Sequence, residues 1–594
     1  MNALRDRTTN WLLAAALGVT VALVFLPVVR FEFLRCWDDH TYILGSEAVR
    51  EFKLGQITTE YVLGNYHPLT IFSYAVQYQL FHDDPAGYHV VNLIFHVINC
   101  LLVYWLISLL TKRRWTAVLT ALLFGLHPLR VEPVAWISGQ KDLLAATGIM
   151  IMMIAYCYYR PSGRRIMLPL SVIAYAAAAL AKASVLFVPI LLPVIDRLRQ
   201  EPPRSTHYRT MLPYAVIALG LGVMAILARV SYQSQLGEAA MPVLWTALIA
   251  IIRLVFYFSG RIFLPDAGAY YLNIYYITRS GVHLVSLLVS VAVILILAAT
   301  VVSSRKHTSR IIFGAVFFLA AILPALPAMN LGYSADRFTY LASVGILYVF
   351  AEYVGWLTDR SSRGALWIRY TGIIMIATII MVMAYGVRVR LPAWRDCRSL
   401  TRYFTEIYPD DPTAWMNRGL AFADRLDYVR ADEYYTRALT FNPNYALVYN
   451  LRGLIRARRD SVQAALVDFT RAVTIDPRYA EAWYNRGNLY YDRNHLAEAM
   501  ADYTRAVELD ATHAETFFNR GNCRARLGDL AGAIDDYSRT VSIDPGHLRA
   551  RFNRARAYFA AGNYRSAYVD LMNLQAAGVP VDPAFVDTLS KLMR

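Results

Sequence analysis

The stretch Cys36-Trp37-Asp38-Asp39-His40-Thr41-Tyr42 sets two adjacent carboxylates just beyond an apolar run, Trp11 to Val29, that is long enough to cross a bilayer. Acids at a membrane boundary are costly to desolvate, so they are solvated, paired or functional. A carboxylate placed there can act as general base, taking the proton from a hydroxyl that attacks a lipid-linked substrate. The competing reading is a plain polar cap on the span. Further along the chain, His67, Glu132, Lys141, Asp142, Lys182, Asp336 and Arg337 also stand at the borders of apolar segments. A lipid-phosphate sugar donor needs cations near its phosphate and a carboxylate near the acceptor hydroxyl. Lys182, Arg337 and Lys141 are the candidate cations. Each has a structural alternative: a long basic chain can snorkel to headgroups, Glu132 can pair with Arg130 or Lys141, and Asp336 can pair with Arg337. His67 can be a hydrogen-bonded loop residue. No His/Cys cluster has zinc spacing, and no Gly-rich loop precedes a helix. A divalent ion at Asp38-Asp39 finds no further support in the pattern.

Positioning these groups falls to a chain of two regimes. Of its 594 residues, 57% are hydrophobic, yet the last third is polar. Residues 1–390 read as a multi-span membrane domain, 391–408 as a linker and 409–594 as a soluble helical domain. The net charge of +16 sits largely in short loops between apolar runs, where topology rather than nucleic acid accounts for it. Arg5 and Arg7 set the N-terminus inside, and the first span, lacking an Ala-x-Ala cleavage site, reads as a retained anchor. About eleven spans then place every acid-bearing motif and the C-terminal domain on the outer face. In that count Leu69–Phe81 lies on the membrane surface, Leu244–Leu264 is an outer or re-entrant segment, and Val282–Val302 is the eighth span. The five cysteines suggest no disulfide framework.

The polar third repeats itself. Gly419, Gly453, Gly487 and Gly521 recur every 34 residues, with Ala555 in the fifth slot. Trp415, Tyr449, Trp483 and Phe517 precede them in step, and Pro409, Pro443, Pro477 and Pro545 share the period. This is the tetratricopeptide pattern: four clear repeats, a degenerate fifth, and a cap helix near Pro583–Leu592. Asn417, Asn485, Asn519 and Asn553 share a register in which an amide can bond a peptide backbone, or can simply be repeat grammar. Arg418, Arg452, Arg486, Arg520 and Arg554 recur beside them, placed to pair with neighbouring acids.

Taken together the motifs resemble those of the transmembrane and tetratricopeptide-repeat (TMTC-like) O-mannosyltransferases, in the GT-C superfamily of polyprenyl-phosphate-sugar transferases. The resemblance rests on Trp37-Asp38-Asp39-His40-Thr41-Tyr42, Asn65-Tyr66-His67-Pro68-Leu69, Gly87-Tyr88-His89 and His127-Pro128-Leu129-Arg130-Val131-Glu132. Lys141-Asp142, Lys182 in its hairpin, Asp336-Arg337-Phe338 and the C-terminal repeats complete it. It implies an all-α fold, a GT-C-like polytopic domain followed by a tetratricopeptide solenoid. It implies inverting transfer of a sugar, mannose by the family name, from a polyprenyl phosphate to a protein hydroxyl. One of Asp38 and Asp39 would be the base, basic residues would hold the donor phosphate, and the repeats would capture the acceptor. The expected setting is a bacterial inner membrane with the repeats in the periplasm, or an endoplasmic-reticulum membrane with them in the lumen. The runner-up is a non-catalytic membrane scaffold whose repeats recruit envelope proteins.

Overall fold

In the computed structural model the described residues are 2–111, 113–162, 164–201, 207–236, 308–325, 335–361 and 366–593. They are helical throughout, and the one strand-like contact among them is the isolated bridge Val62–Asn65. The chain divides into two compact units, Met1–Tyr403 and Phe404–Arg594.

Six helices of the first unit are long and apolar enough to cross a membrane: Thr8–Arg30, Pro85–Leu110, Ile137–Arg160, Arg209–Ser231, Asp336–Trp356 and Tyr370–Trp394. A bent pair, Arg114–Gly125 with Pro128–Ala135, makes a seventh if counted as one span. The protein is thus a multi-pass membrane protein. The bend of 56° falls at His127-Pro128, where proline removes a backbone donor and pushes the preceding residue out of helical conformation. Met167–Ala181 and Thr308–Ile322 are apolar helices too short to meet the same test. The apolar run that follows Lys182 is not one helix. A 3-10 turn, Val188–Ile190, leads into the nine-residue helix Leu191–Arg199, because Pro189 and Pro193 break the hydrogen-bond ladder. The expected eighth span and the 244–264 segment lie outside the described residues.

Close helix contacts depend on small side chains. A Cβ on Gly345 would lie 2.3 Å from the Gly314 carbonyl oxygen, so Thr308–Ile322 and Thr339–Ser361 meet backbone to backbone. Helix Pro68–Phe81 does more than rest on a surface. It buries Thr70, Ile71, Tyr74, Ala75 and Gln77 against the protein, and leaves Phe72, Val76 and Leu80 exposed.

Residues 391–408, expected as a linker, form a 3-10 turn, Leu391–Trp394, and a helix, Cys397–Ile407. The second unit contains five helix pairs, from Pro412–Ala423 with Tyr428–Phe441 to Leu548–Ala560 with Tyr564–Ala576, and a last helix, Pro583–Leu592. Each pair turns through a left-handed residue at the same period: Leu426, Asp460, Asn494, Gly528 and Gly562. The repeated glycines are explained by contact. A Cβ at Gly419 or Gly521 would lie 2.4 or 2.8 Å from the ring of Tyr435 or Tyr537.

Candidate active site

The loop carrying the acid pair is fixed at three points. After the 3-10 turn Leu26–Arg30, the Glu32 amide donates to the Arg395 carbonyl at 2.9 Å. Cys36 is disulfide-bonded to Cys397, 361 residues away. Where the scattered cysteines suggested no disulfide framework, one bridge is present; Cys100, Cys157 and Cys523 are free and buried. The third point is Asp39 itself. Its carboxylate is fully buried and accepts from the Leu34 amide at 2.9 Å, the Ser138 amide at 3.0 Å and the Ser138 hydroxyl at 2.5 Å. Burial pushes its carboxyl up from 3.8 to about 6, against the pull of the Ser138 and Leu34 donors.

Asp38 faces the other way. It is half-buried, and its carboxylate makes no hydrogen bond or ion pair among the described residues. The cation that feels its charge is Lys141, which is also within the electrostatic reach of Arg337, Lys182 and Asp142. The Lys141 ammonium lies over the rings of Tyr42 and Trp136, 4.6 and 5.1 Å from their centroids. Tyr42 in turn shares a hydrogen bond of 3.0 Å with His67 Nε2. Burial, then the charges of Lys141 and Lys182, hold the His67 imidazole well below its usual range, so it is neutral at pH 7.

The remaining cations arrive on separate elements. The Thr70 hydroxyl donates to the Ala181 carbonyl at 2.9 Å, which ties helix Pro68–Phe81 to the end of Met167–Ala181 and sets Lys182 beyond it. Lys182 is ion-paired with Asp142, and its ammonium lies 5.4 Å from the Phe338 ring centroid. Arg337 is held by Glu132 twice, through its guanidinium at 2.5 Å and its backbone amide at 3.1 Å. Asp336 is fully buried at the start of the same 3-10 turn, Asp336–Phe338. Asp142, Lys182, Ser184, Arg337, Phe338 and Tyr340 line one cleft. Asp38, Lys141, Asp142, Lys182, Arg337 and Glu132 are thus linked through one another's charges, while Asp39 and Asp336 are buried. Glu132 and Asp142 serve there as counter-ions rather than as free acids. Among the described residues no three His, Cys, Asp or Glu side chains gather as a metal-holding group.

In the second unit the asparagines bond one another. Asn485 donates to Asn450 at 3.0 Å, Asn519 to Asn488 at 3.0 Å and Asn553 to Asn522 at 2.9 Å. Each of these three amides thus has one bond between repeats; Asn417 is half-buried in the first repeat. The arginines pair with acids. Arg452, Arg486, Arg520 and Arg554 grip Asp468, Asp502, Asp536 and Asp570 through two bonds each, at 2.6–2.9 Å. Arg418 has Tyr434 where the others have aspartate, and stacks on its ring at 4.7 Å.

Sequence reasoning missed Ser138, Tyr42 and the Cys36–Cys397 bridge. Nothing in the spacing marks Ser138 as a partner of a residue 99 positions earlier. The cysteines did carry a signal, since Cys36 adjoins the acid pair and Cys397 lies outside the apolar runs.

Tetratricopeptide repeat family models match residues 480–513, 398–446 and 518–577. The protein O-mannosyl-transferase TMTC1 of Mus musculus is 34% identical over 93 residues, which are 16% of this chain and 10% of that protein. TMTC4 of Homo sapiens is 34% identical over 109 residues, 16% of this chain and 14% of its own length. The chain therefore spans only a small part of these relatives. A crystal structure of YrrB, described as a TPR protein with an unusual peptide-binding site, covers 32% of this chain and 97% of its own at 22% identity and TM-score 0.29. The chain is a multi-pass membrane protein that carries tetratricopeptide repeats and is similar, over about 16% of its length, to the TMTC protein O-mannosyl-transferases.

Proposed function

We propose that the protein is a membrane glycosyltransferase that moves a sugar, mannose by the likeness to the TMTC proteins, from a polyprenyl phosphate to a protein hydroxyl. The observation that carries this reading is a carboxylate, Asp38, that makes no hydrogen bond or ion pair among the described residues and whose charge reaches the buried Lys141, itself in electrostatic reach of Lys182 and Arg337. Asp38 is the general base. As the acceptor hydroxyl oxygen attacks the anomeric carbon, its proton passes to the Asp38 carboxylate. The bond from that carbon to the phosphate oxygen breaks with its electron pair on the phosphate, and the configuration inverts. Lys141, Lys182 and Arg337 stabilise the charge that develops on the leaving phosphate. Asp39 has the wrong surroundings for the base, since donors hold both of its oxygens and it is shut from solvent. It is a positioning residue that aims its neighbour.

The repeats capture the acceptor chain. Asn485, Asn519 and Asn553 each spend one amide bond between repeats, which leaves their remaining amide valences, Asn417 and the aromatic faces of the groove for a peptide. The disulfide supports an oxidising compartment for this face, the periplasm of a bacterium or the endoplasmic-reticulum lumen. A scaffold would have no need of such a carboxylate within reach of a buried lysine. The test is transfer of labelled mannose from polyprenyl-phosphate-mannose to a panel of Ser/Thr peptides in proteoliposomes, with the anomeric configuration of the product read by NMR. Transfer with inversion is expected. No transfer from any polyprenyl-linked sugar, to any acceptor, would return the protein to the scaffold reading.

A further inference from the structure

One buried charge behind this face belongs to none of the pairs described above. Arg130 ends the 3-10 turn Pro128–Arg130, at the bend between the two short helices of the seventh candidate span. Its side chain is completely buried. Nε–H donates to the Phe124 carbonyl at 3.1 Å and Nη2–H to the Ser343 hydroxyl at 2.5 Å, while Nη1 is buried without a partner. The rings of Phe124 and Tyr340 lie 4.9 and 5.2 Å from the guanidinium carbon.

Three other cations of this unit hold a carboxylate directly: Lys182 has Asp142, Arg337 has Glu132 and Arg160 has Asp196; Lys141 does not, but it lies within reach of the charges of Asp38 and Asp142. Arg130 forms no ion pair among the described residues. The acid whose field reaches it is Asp336, and the two do not touch. Neutral acceptors and aromatic faces offset only part of the cost of burying a cation. A charge kept at the expense of stability is a functional candidate, above all within a membrane domain.

The direction of its field follows from Tyr340. That ring packs on the guanidinium, and the same residue lines the cleft with Lys182, Arg337 and Phe338. Arg130 therefore stands one side-chain layer behind the cleft. In front of it, Lys182 and Arg337 each share their charge with a direct carboxylate partner; Arg130 has none. We infer that Arg130 is a positioning residue for an anionic phosphate in the Lys182–Arg337 cleft, acting through space from behind the Tyr340 ring. This inference rests on the proposed reading of that cleft as the donor-phosphate site. A unit charge roughly 8–10 Å from a phosphate, at an effective dielectric of about 20, is worth about a 15–35-fold change in affinity.

The test uses the full chain in nanodiscs, with geranylgeranyl monophosphate as the anionic probe and geranylgeraniol as its uncharged control. Arg130→Met removes the charge at similar volume, and Arg130→Lys keeps it. Arg130→Met is expected to bind the phosphate about 15–35-fold more weakly and the alcohol unchanged, with a thermal midpoint equal to or above that of the wild type. Arg130→Lys is expected to keep most of the phosphate affinity. A merely structural arginine would behave otherwise, with Arg130→Met lowering the thermal midpoint and both affinities together, and that result overturns the inference. Equal phosphate affinity in wild type and Arg130→Met, with the wild type still preferring phosphate to alcohol, overturns the inference and leaves the cleft reading standing. A wild type without that preference overturns both.

Discussion

Asp39→Asn is the substitution whose consequences the structure fixes most closely. The carboxylate accepts from three donors, two of them backbone amides 104 residues apart, Leu34 and Ser138. An amide in its place offers one acceptor oxygen and turns an NH2 group toward a buried donor. One unmade hydrogen bond to a buried group costs about 1–3 kcal/mol, and that is the expected loss at pH 7. The pH dependence gives a sharper signature. The Asp39 carboxyl is raised from 3.8 to about 6, so between those values the folded state binds the proton that the unfolded state releases. The burial cost is present in full above pH 6 and is relieved as pH falls through 6 toward 4. For this group alone, wild type gains about 2 kcal/mol between pH 7 and pH 4. Asp39→Asn cannot titrate and loses that slope, so the difference between the two proteins narrows at pH 7 and widens toward pH 4. The assay is thermal unfolding in nanodiscs across this range, with hydrogen exchange at the Leu34 and Ser138 amides as the local readout. A variant as stable as wild type at pH 7, with the same slope and the same exchange, would refute the assignment of Asp39 as the loop anchor.

Three further outcomes follow from the same geometry. Cys36→Ser and Cys397→Ser are each expected to cost about 2–5 kcal/mol, and the double variant no more than either, because one bridge is lost in all three; thermal midpoints under oxidising and reducing conditions check this. Asp536→Ala strands a buried guanidinium, with the Asp536 side chain at 0% exposure, and is expected to destabilise the repeats by about 3–5 kcal/mol in thermal unfolding. Lys182→Ala leaves Asp142 without its cation and takes one charge from the cleft. It is expected to slow transfer about 10–100-fold, mainly by weakening donor binding, as the ratio of KM to kcat effects will report.

What could be read from the sequence was whatever is periodic or continuous. A 34-residue recurrence of glycine and aromatics needs no tertiary context, since each repeat packs on its neighbour by the same contacts. Even the fifth repeat follows the pattern. Ala555 is small enough for the helix contact, and Arg554 still finds Asp570. The apolar runs likewise announced helices, though not where Pro189 and Pro193 would divide one of them. What could not be read was orientation. Asp38 and Asp39 are neighbours in sequence, yet the turn of the loop sends one into the protein and leaves the other half-exposed. That turn is set by Ser138 and by Cys397, contacts spanning 99 and 361 residues that no local pattern encodes. The asparagine register was visible as well, but its use between repeats depends on Asn450, Asn488 and Asn522, which stand outside it.

The central claim is that Asp38, and not Asp39, takes the acceptor proton. The most direct measurement is the single-turnover rate of mannose transfer from saturating polyprenyl-phosphate-mannose, for wild type, Asp38→Asn and Asp39→Asn in the same proteoliposomes. Asp38→Asn is expected to fall by about 10²–10⁴-fold, with donor binding and thermal midpoint unchanged. Asp39→Asn is expected to fall less and to lose stability alongside. A wild-type rate in Asp38→Asn, with transfer abolished in a fully folded Asp39→Asn, would contradict the account.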